Sequence, residues 1–183
     1  MASPFVVPAA RLLREVPSTV AVAFAAPFAP AEEVTSRDET ATDVPAGAEV
    51  EVAVRLESFQ GGLRARGTVR APWRGQCRRC LAPVSGVIES TVDERFVADG
   101  TADDDLAYRF TGDEVDLSDL VRDALVLELP LVPLCRPDCR GLCPQCGVDR
   151  NVTSCDCRAP GDPRWATLDA LRFDVEAGGS DPA

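Results

Sequence analysis

The chain has 183 residues, a formal net charge of −11 and eight cysteines. This length suffices for a hydrophobic core without covalent crosslinks, so the cysteines need another explanation. The chain has no histidine and all 19 basic residues are arginine, which removes the commonest general base, a Cys–His pair and a Schiff-base lysine. The negative charge argues against a surface that coats nucleic acid, and no apolar run is long enough to span a bilayer. We therefore expect neither DNA nor a membrane as a partner.

The segment 11–31, RLLREVPSTVAVAFAAPFAPA, combines two arginines with an Ala/Val-rich run and so shares some features with a signal peptide. Glu15 and Pro17 interrupt the run. Apolar residues alternate over 19–24, which favours a strand there. A short helical segment is expected before it, around residues 11–15. Residues 27–47 are rich in proline, alanine, threonine and acidic residues. This composition buries little apolar area and predicts a flexible acidic surface segment.

Apolar and polar residues alternate most regularly between residues 50 and 73, interrupted by the adjacent glycines Gly61 and Gly62. A period of two predicts a β-hairpin with one buried face. A two-residue turn formed by these glycines would place Val54 opposite Val69 in the core.

Residues 86–97 predict a third strand, and residues 117–125 carry leucine, valine and alanine at helical spacing. Asp116 is a candidate N-cap, and Pro130 ends the helix. An amphipathic helix lying on an antiparallel sheet is the simplest core that these elements can form. We therefore predict an α+β fold with a packed amphipathic helix and a C-terminal cysteine-rich zinc-binding module.

The predicted domain organisation has three parts. An α+β core domain, which includes the acidic segment, occupies residues 1–134, and the zinc module with a short terminal helix occupies residues 135–174. Residues 175–183 are expected to form a disordered tail. The terminal helix is indicated by three apolar residues that share one face, namely Trp165, Leu168 and Leu171.

Six of the eight cysteines lie within residues 135–157, CRPDCRGLCPQCGVDRNVTSCDC. The sequence Cys143-Pro-Gln-Cys146-Gly is typical of a zinc knuckle, a tight turn that points two thiolates to one side. Cys155 and Cys157 supply two more, because alternate residues of an extended chain project to the same side. We therefore predict Zn²⁺ as the cofactor. The predicted metal ligands are Cys135, Cys139, Cys143, Cys146, Cys155 and Cys157.

Six cysteines exceed one tetrahedral site, so some of them need other partners. Our hypothesis is a main site of four sulfurs and a second, weaker site that is completed by the cysteines of the earlier sequence QCRRC. The main site comprises Cys143, Cys146, Cys155 and Cys157, and the second site comprises Cys135, Cys139, Cys77 and Cys80.

Three other interpretations compete with zinc. A disulfide framework requires an oxidising compartment and hence a credible signal peptide. The C-x3-C-x2-C spacing from Cys139 to Cys146 also occurs in radical enzymes that use S-adenosylmethionine, but the chain after Cys146 is too short for their barrel. A thioredoxin-like pair needs a helix that begins at the pair, which the knuckle pattern does not favour.

Between Glu57 and Glu89 the sequence has no acidic residue but six arginines, which we call the arginine strip. The strip comprises Arg64, Arg66, Arg70, Arg74, Arg78 and Arg79. Under one interpretation it contacts RNA phosphates or a partner. Under the other it is solvated or pairs with Glu51 and Glu57 across the hairpin and with the acidic loop at residues 99–105. Trp73 has the parity of the core face, which favours packing over base stacking.

The order of these motifs resembles the YceD-like family, whose members are described as large ribosomal RNA subunit accumulation proteins. The resemblance rests on CRRCL at 77–81, EVDLSDLVRDALVLELPLVPLC at 114–135, CRGLCPQCG at 139–147 with the later C-x-C, and DPRWATLDAL at 162–171. It covers about residues 50–171.

The resemblance implies a role in the synthesis, processing or stability of 23S ribosomal RNA, through contact with ribosomal RNA or a ribosomal protein in the cytoplasm. It also implies that the C-terminal cysteines are accessory, because some family members lack them and keep the C-x-R-C pair. Cys77, Arg79 and Cys80 are then candidates for a shared functional loop.

The chain shows no paired carboxylates in an apolar setting and no phosphate-binding glycine loop, so we expect a non-enzymatic protein without a small-molecule substrate. Two other classes of function stay open. A zinc-stabilised adaptor would bind a protein partner without RNA contact, and a thiol redox protein would use Cys77 and Cys80.

Overall fold

The structure is a computed structural model that describes residues 3–29, 42–99 and 107–158, together with Arg164. The predicted terminal helix, the tail and most of the acidic segment lie outside the described residues. The chain divides into two compact units, Met1–Cys139 and Arg140–Ala183. The first unit includes Cys135 and Cys139, whose sulfurs lie beside those of Cys80 and Cys77, and the predicted domain boundaries stay a prediction.

All regular elements of the described residues belong to the first unit. In chain order they are β1 (Val6–Pro8), α1 (Ala10–Arg14), β2 (Thr19–Pro27), β3 (Glu49–Phe59), β4 (Gly62–Gln76), β5 (Pro83–Ala98), β6 (Tyr108–Phe110), β7 (Glu114–Asp116) and α2 (Ser118–Glu128).

The main sheet has five strands in the order β2-β3-β4-β5-β6. The pairs from β2 to β5 are antiparallel, and the short strand β6 joins β5 in parallel. Strands β1 and β7 form a separate antiparallel pair. The predicted α+β class is confirmed, with a sheet that is mostly antiparallel.

The hairpin between β3 and β4 has the predicted parity but another register. Gly62 pairs with Phe59, so the turn consists of Gln60 and Gly61, and Val54 lies opposite Gly67 instead of Val69. Gly61 supplies the positive φ of +98° that the turn needs. A Cβ at position 62 would collide with the carbonyl oxygen of Phe96, so this position of β4 requires glycine. A shift of two residues leaves every side chain on its predicted face.

The core lies on one face of the main sheet. Alternate residues of β3 and β4, such as Leu56 and Leu63, are fully buried there, and the third predicted strand contributes Ile88, Val92 and Phe96 to the same cluster. Trp73 is partly buried against this cluster, in agreement with its parity. Each fully buried large apolar side chain contributes about 1.5–3 kcal/mol relative to an exposed one.

Helix α2 begins at Ser118. With Asp116 as the predicted N-cap, it would have begun one residue earlier, at Leu117. Asp116 is the last residue of β7, where it pairs with Val6, so Leu117 occupies the N-cap position. The carboxylate of Asp116 accepts hydrogen bonds from the amide of Ser118 at 2.9 Å and from its hydroxyl at 2.6 Å. At the other end the helix stops before Leu129, whose extended conformation (ψ 132°) suits a residue that precedes proline.

Three residues of α2, namely Leu120, Val121 and Leu125, are at most 1% exposed and belong to the core cluster of the sheet. None of the helices in the described residues is long and apolar enough to cross a membrane.

We expect Leu125→Ala to lower the free energy of unfolding by about 3 kcal/mol, because it leaves a cavity at a fully buried position. Leu127→Ala is the matched control in the same helix: its side chain is 84% exposed, so its loss should cost less than about 0.5 kcal/mol. Urea denaturation measures both variants. Equal losses would contradict the placement of α2.

Candidate metal centres

The first group of thiols comprises Cys77, Cys80, Cys135 and Cys139, whose sulfur atoms all lie within 4.8 Å of one another. The Sγ atoms of Cys77 and Cys139 are 3.8 Å apart, and those of Cys80 and Cys135 are 3.6 Å apart. A tetrahedral zinc site with Zn–S bonds of about 2.3 Å requires sulfur separations of about 3.8 Å. A disulfide requires about 2.05 Å, and all eight cysteines are free.

The four cysteines of the first group come from two distant parts of the chain. Cys77 and Cys80 lie in the connection between β4 and β5, and the other two cysteines follow α2. The amide of Arg78 donates to the carbonyl of Pro133 at 2.9 Å, which places the two segments side by side. The guanidinium of Arg79 donates to the carbonyl of Cys139 at 2.8 Å. The backbone thus holds the sulfurs together through contacts other than their own.

The connection between β4 and β5 is a tight turn. The amide of Cys77 donates to the carbonyl of Ala82 at 2.8 Å, and the amide of Leu81 donates back to the carbonyl of Cys77 at 2.9 Å. Leu81 has a φ of +61° and is the only non-glycine residue with positive φ among the described residues. Such a conformation disfavours residues that carry a Cβ.

The second unit contains a turn with the same hydrogen bonds. The amide of Cys143 donates to the carbonyl of Val148 at 2.8 Å, and the amide of Gly147 donates to the carbonyl of Cys143 at 2.9 Å. Gly147, with φ of +74°, occupies the position that Leu81 has in the first turn. Both C-x-x-C pairs are therefore carried by the same knuckle geometry. The sequence revealed only the second knuckle, because the first lacks the glycine that marks it.

The second group of thiols comprises Cys143, Cys146, Cys155 and Cys157, and its sulfur atoms also lie within 4.8 Å of one another. Local contacts hold this group. The amide of Arg150 donates to the carbonyl of Gly141 at 2.9 Å, and the side-chain oxygen of Asn151 accepts from the amide of Arg140 at 2.7 Å. The second group is thus assembled from one short stretch of chain.

The thiols of the first group differ in acidity. Burial disfavours the thiolate of Cys77, but the backbone amides of Cys135, Arg79 and Cys80 outweigh it and lower the pKa of Cys77 to about 6. Burial and the neighbouring sulfurs raise the pKa of Cys135 to about 12. One sulfur of the group is therefore prepared as a thiolate, and the accumulation of negative charge opposes ionisation of another.

The second group repeats this pattern. The backbone amides of Cys146 and Gln145 lower the pKa of Cys143 to about 6. The hydrogen bond to Cys146, together with burial, raises the pKa of Cys157 to about 12. Four thiolates at this spacing repel one another, and a divalent cation at their centre supplies the missing charge. The donor set of each group therefore fits a closed, tetrahedral thiolate site that could hold zinc.

The structure brings the eight cysteines together as two groups of four. Cys139 belongs to the first group, whereas Cys143 and Cys146 belong to the second. The C-x3-C-x2-C spacing is consequently divided between two groups and does not form one cluster. That these residues bind zinc stays a prediction.

Four arginines of the strip lie beside carboxylates at the surface. Asp93 receives two hydrogen bonds from Arg64 and a contact from Arg66 at 3.1 Å. These arginines hold the pKa of Asp93 below its ordinary value, with the hydrogen bond from Arg64 as the largest cause.

The other two pairs involve Arg70 with Glu51 at 3.5 Å and Arg74 with Asp43 at 3.0 Å. Glu51 was an expected partner, whereas Asp93 and Asp43 were missed. Asp93 lies directly opposite Arg66 in the pairing of β4 with β5, so its role follows from a register that the sequence did not reveal. Exposed ion pairs of this kind stabilise a fold only weakly.

A family model described as Large ribosomal RNA subunit accumulation protein YceD matches residues 65–172. An uncharacterized protein of Mycobacterium tuberculosis (strain ATCC 25618 / H37Rv) is 42% identical over 127 residues, which cover 67% of this chain and 61% of that protein. A protein of Arabidopsis thaliana, Large ribosomal RNA subunit accumulation protein YCED homolog 1, chloroplastic, is 29% identical over 166 residues, covering 73% of this chain and 52% of that protein. This chain thus spans less than two thirds of these relatives. No solved structure matches it.

The equivalent positions Gly147 and Leu81 both have positive φ, so substitutions at the two positions test backbone strain. Gly147→Ala should lower the free energy of unfolding by about 1 kcal/mol, because a Cβ meets no atom there and only the positive φ is unfavourable. At position 81 the usual order should reverse, with Leu81→Gly more stable than Leu81→Ala by about 0.5–1 kcal/mol. Chemical denaturation of the metal-loaded protein measures both differences. Greater stability of Leu81→Ala would contradict the strained turn.

Proposed function

Because this chain belongs to the YceD family, we propose that it is a non-enzymatic, cytoplasmic ribosome-biogenesis factor that supports the synthesis, processing or stability of 23S ribosomal RNA. The observation that carries the proposal is the family match over residues 65–172. The matched region contains all eight cysteines and every residue of the arginine strip except Arg64. The plant relatives are named for the accumulation of large-subunit ribosomal RNA.

The arrangement of the thiols supports a non-enzymatic role. A zinc ion that already has four protein ligands keeps no position for water or substrate, in contrast to a catalytic zinc. The chain also has no histidine to act as a general base at neutral pH.

We propose that each group of thiols holds one zinc ion and that the two ions have different structural roles. In the first group, Cys77, Cys80, Cys135 and Cys139 would tie the β4–β5 connection to the segment after α2. In the second group, Cys143, Cys146, Cys155 and Cys157 would hold a short local fold together. When bound, zinc supplies a closed cross-link between thiolates, and no step of a reaction passes through it.

The β4 part of the arginine strip, which comprises Arg64, Arg66, Arg70 and Arg74, is the surface that we propose for contact with ribosomal RNA. Its pairs with Asp93, Glu51 and Asp43 are exposed, and such pairs are screened by salt. Phosphate oxygens are strong acceptors for guanidinium groups and can replace a carboxylate at little cost. The strip would then open its internal pairs as the RNA binds.

A second candidate function is a zinc-stabilised adaptor that binds a protein partner and makes no direct RNA contact. Two observations favour it. The net charge of −11 repels a polyanion, and four arginines of the strip already have carboxylate partners.

Deletion of the gene tests the ribosomal role, and we expect mature 23S ribosomal RNA to decrease relative to 16S. Rescue with Arg66→Gln/Arg70→Gln should fail if the strip contacts RNA, whereas Arg11→Gln should rescue fully, because Arg11 forms a comparable exposed ion pair outside the strip. Northern blotting of both RNAs and their precursors is the measurement. Unchanged RNA after deletion would refute the ribosomal role, and full rescue by the strip variant would favour the adaptor.

We expect the purified protein to contain two zinc ions per chain by elemental analysis. Cys77→Ser and Cys155→Ser should each retain one ion, because each removes one ligand from a different group. Ser154→Ala, next to a ligand, is the control and should retain both. A single ion per chain, with Cys77 and Cys80 freely alkylated, would eliminate the first site.

A further inference from the structure

Large aliphatic side chains are exposed beside the first group of thiols. Leu131 and Val132, which lie between α2 and Cys135, are 85% and 67% exposed, and Leu81, directly after Cys80, is 52% exposed. The hydrogen bond from Arg78 to Pro133 places these two segments next to each other. Exposed apolar residues that cluster on a monomeric surface mark a site of interaction more often than isolated ones.

The conformation of Leu81 has no internal explanation. A leucine with a φ of +61° is strained, and its exposed side chain gains little from packing within this chain. The second knuckle has glycine at the equivalent position, which shows that the turn itself does not need a leucine. We therefore look for the role of the leucine side chain in contacts outside this fold.

Helix α2 continues the exposed apolar surface toward its C-terminal end. Val126 and Leu127 are 44% and 84% exposed, on the part of the helix that does not face the core. A surface helix normally carries polar residues at such positions. Val126 and Leu127 at the end of α2, and Leu131 and Val132 after it, thus present apolar side chains outward.

We propose that Leu81, Leu131 and Val132, bordered by Arg79, form a docking surface for another protein, whose contact segment carries apolar side chains flanked by carboxylates. We call this surface the knuckle patch. The proposal goes beyond the proposed function, on which it rests only for its cellular setting, by adding a protein partner at a surface separate from the β4 arginines.

The composition of the patch favours a protein over RNA. The exposed large apolar side chains of the described residues are all leucine or valine, whereas recognition of unpaired bases uses aromatic platforms. Aliphatic side chains instead match the apolar centre of a protein interface. The guanidinium of Arg79 donates to a neutral carbonyl oxygen and keeps its positive charge, so complementarity requires carboxylates on the partner.

The charge of Arg79 also disfavours a second copy of this chain as the occupant. A two-fold contact through the patch brings identical surfaces together and would place Arg79 of one copy near Arg79 of the other. Like charges at close range oppose such an interface.

Photo-crosslinking of the full chain in its own cells tests the patch, with Leu131→p-benzoylphenylalanine as the probe. We expect one protein adduct, and mass spectrometry should find that the crosslinked partner peptide contains apolar residues flanked by Asp or Glu. Leu81→Ala and Leu81→Gly should both reduce the yield at least fivefold, although they differ in backbone strain. Val87→Ala is the matched control and should leave the yield unchanged, since Val87 is 56% exposed on β5. Thermal melting and zinc content establish that each variant is folded.

An adduct with RNA, with a second copy or with another part of the same chain would overturn the proposal, and so would a partner peptide without carboxylates. The absence of any adduct, or an undiminished yield in both Leu81 variants, would also overturn it. The level of 23S ribosomal RNA in the deletion strain is measured separately. A failed crosslink with reduced RNA refutes the patch alone, and an adduct with unchanged RNA refutes the ribosomal role alone.

Discussion

The contact between the β4–β5 connection and the segment after α2 organises the first unit. Its sulfur pairs join residues that are 62 and 55 positions apart in the chain, so closing this loop requires favourable energy from elsewhere. The sheet and α2 supply that energy through the buried core, and the hydrogen bond from Arg78 to Pro133 aligns the two segments. The same contact places the segment that carries Leu131 and Val132 beside the turn that carries Leu81.

The two groups of thiols differ in how their sulfurs are brought together. The first group depends on the correct fold of a whole unit, because its ligands arrive from the sheet and from the chain beyond the helix. The second group lies within residues 143–157, and among the described residues local turns bring its four sulfurs together. In the first case an ion would stabilise a fold that already has a core, whereas in the second it would join residues of one short segment.

The net charge of this protein does not describe the charge of its individual surfaces. The chain is acidic overall, yet the arginines of β4 form a continuous strip, and carboxylates on β3 and β5 face several of them. This arrangement lets an acidic protein keep many arginines at its surface without strong repulsion or strong binding. A partner with a denser array of negative charge would compete for these arginines, whereas the patch beside them would recognise apolar surface.

Local patterns in the sequence were sufficient for the class of fold, the faces of the strands and the end of α2 before Pro130, because periodicity and proline act on neighbouring residues. Tertiary structure decided the remainder. The pairing of Gly62 with Phe59, which sets the register of the hairpin, and the pairing of Asp116 with Val6, next to the start of α2, became visible only in the structure. The first knuckle was hidden by Leu81, and the acidic partners of Arg64 and Arg74 became visible only when distant segments were placed together. Such contacts join residues that are remote in sequence, and no local pattern specifies which of them will meet.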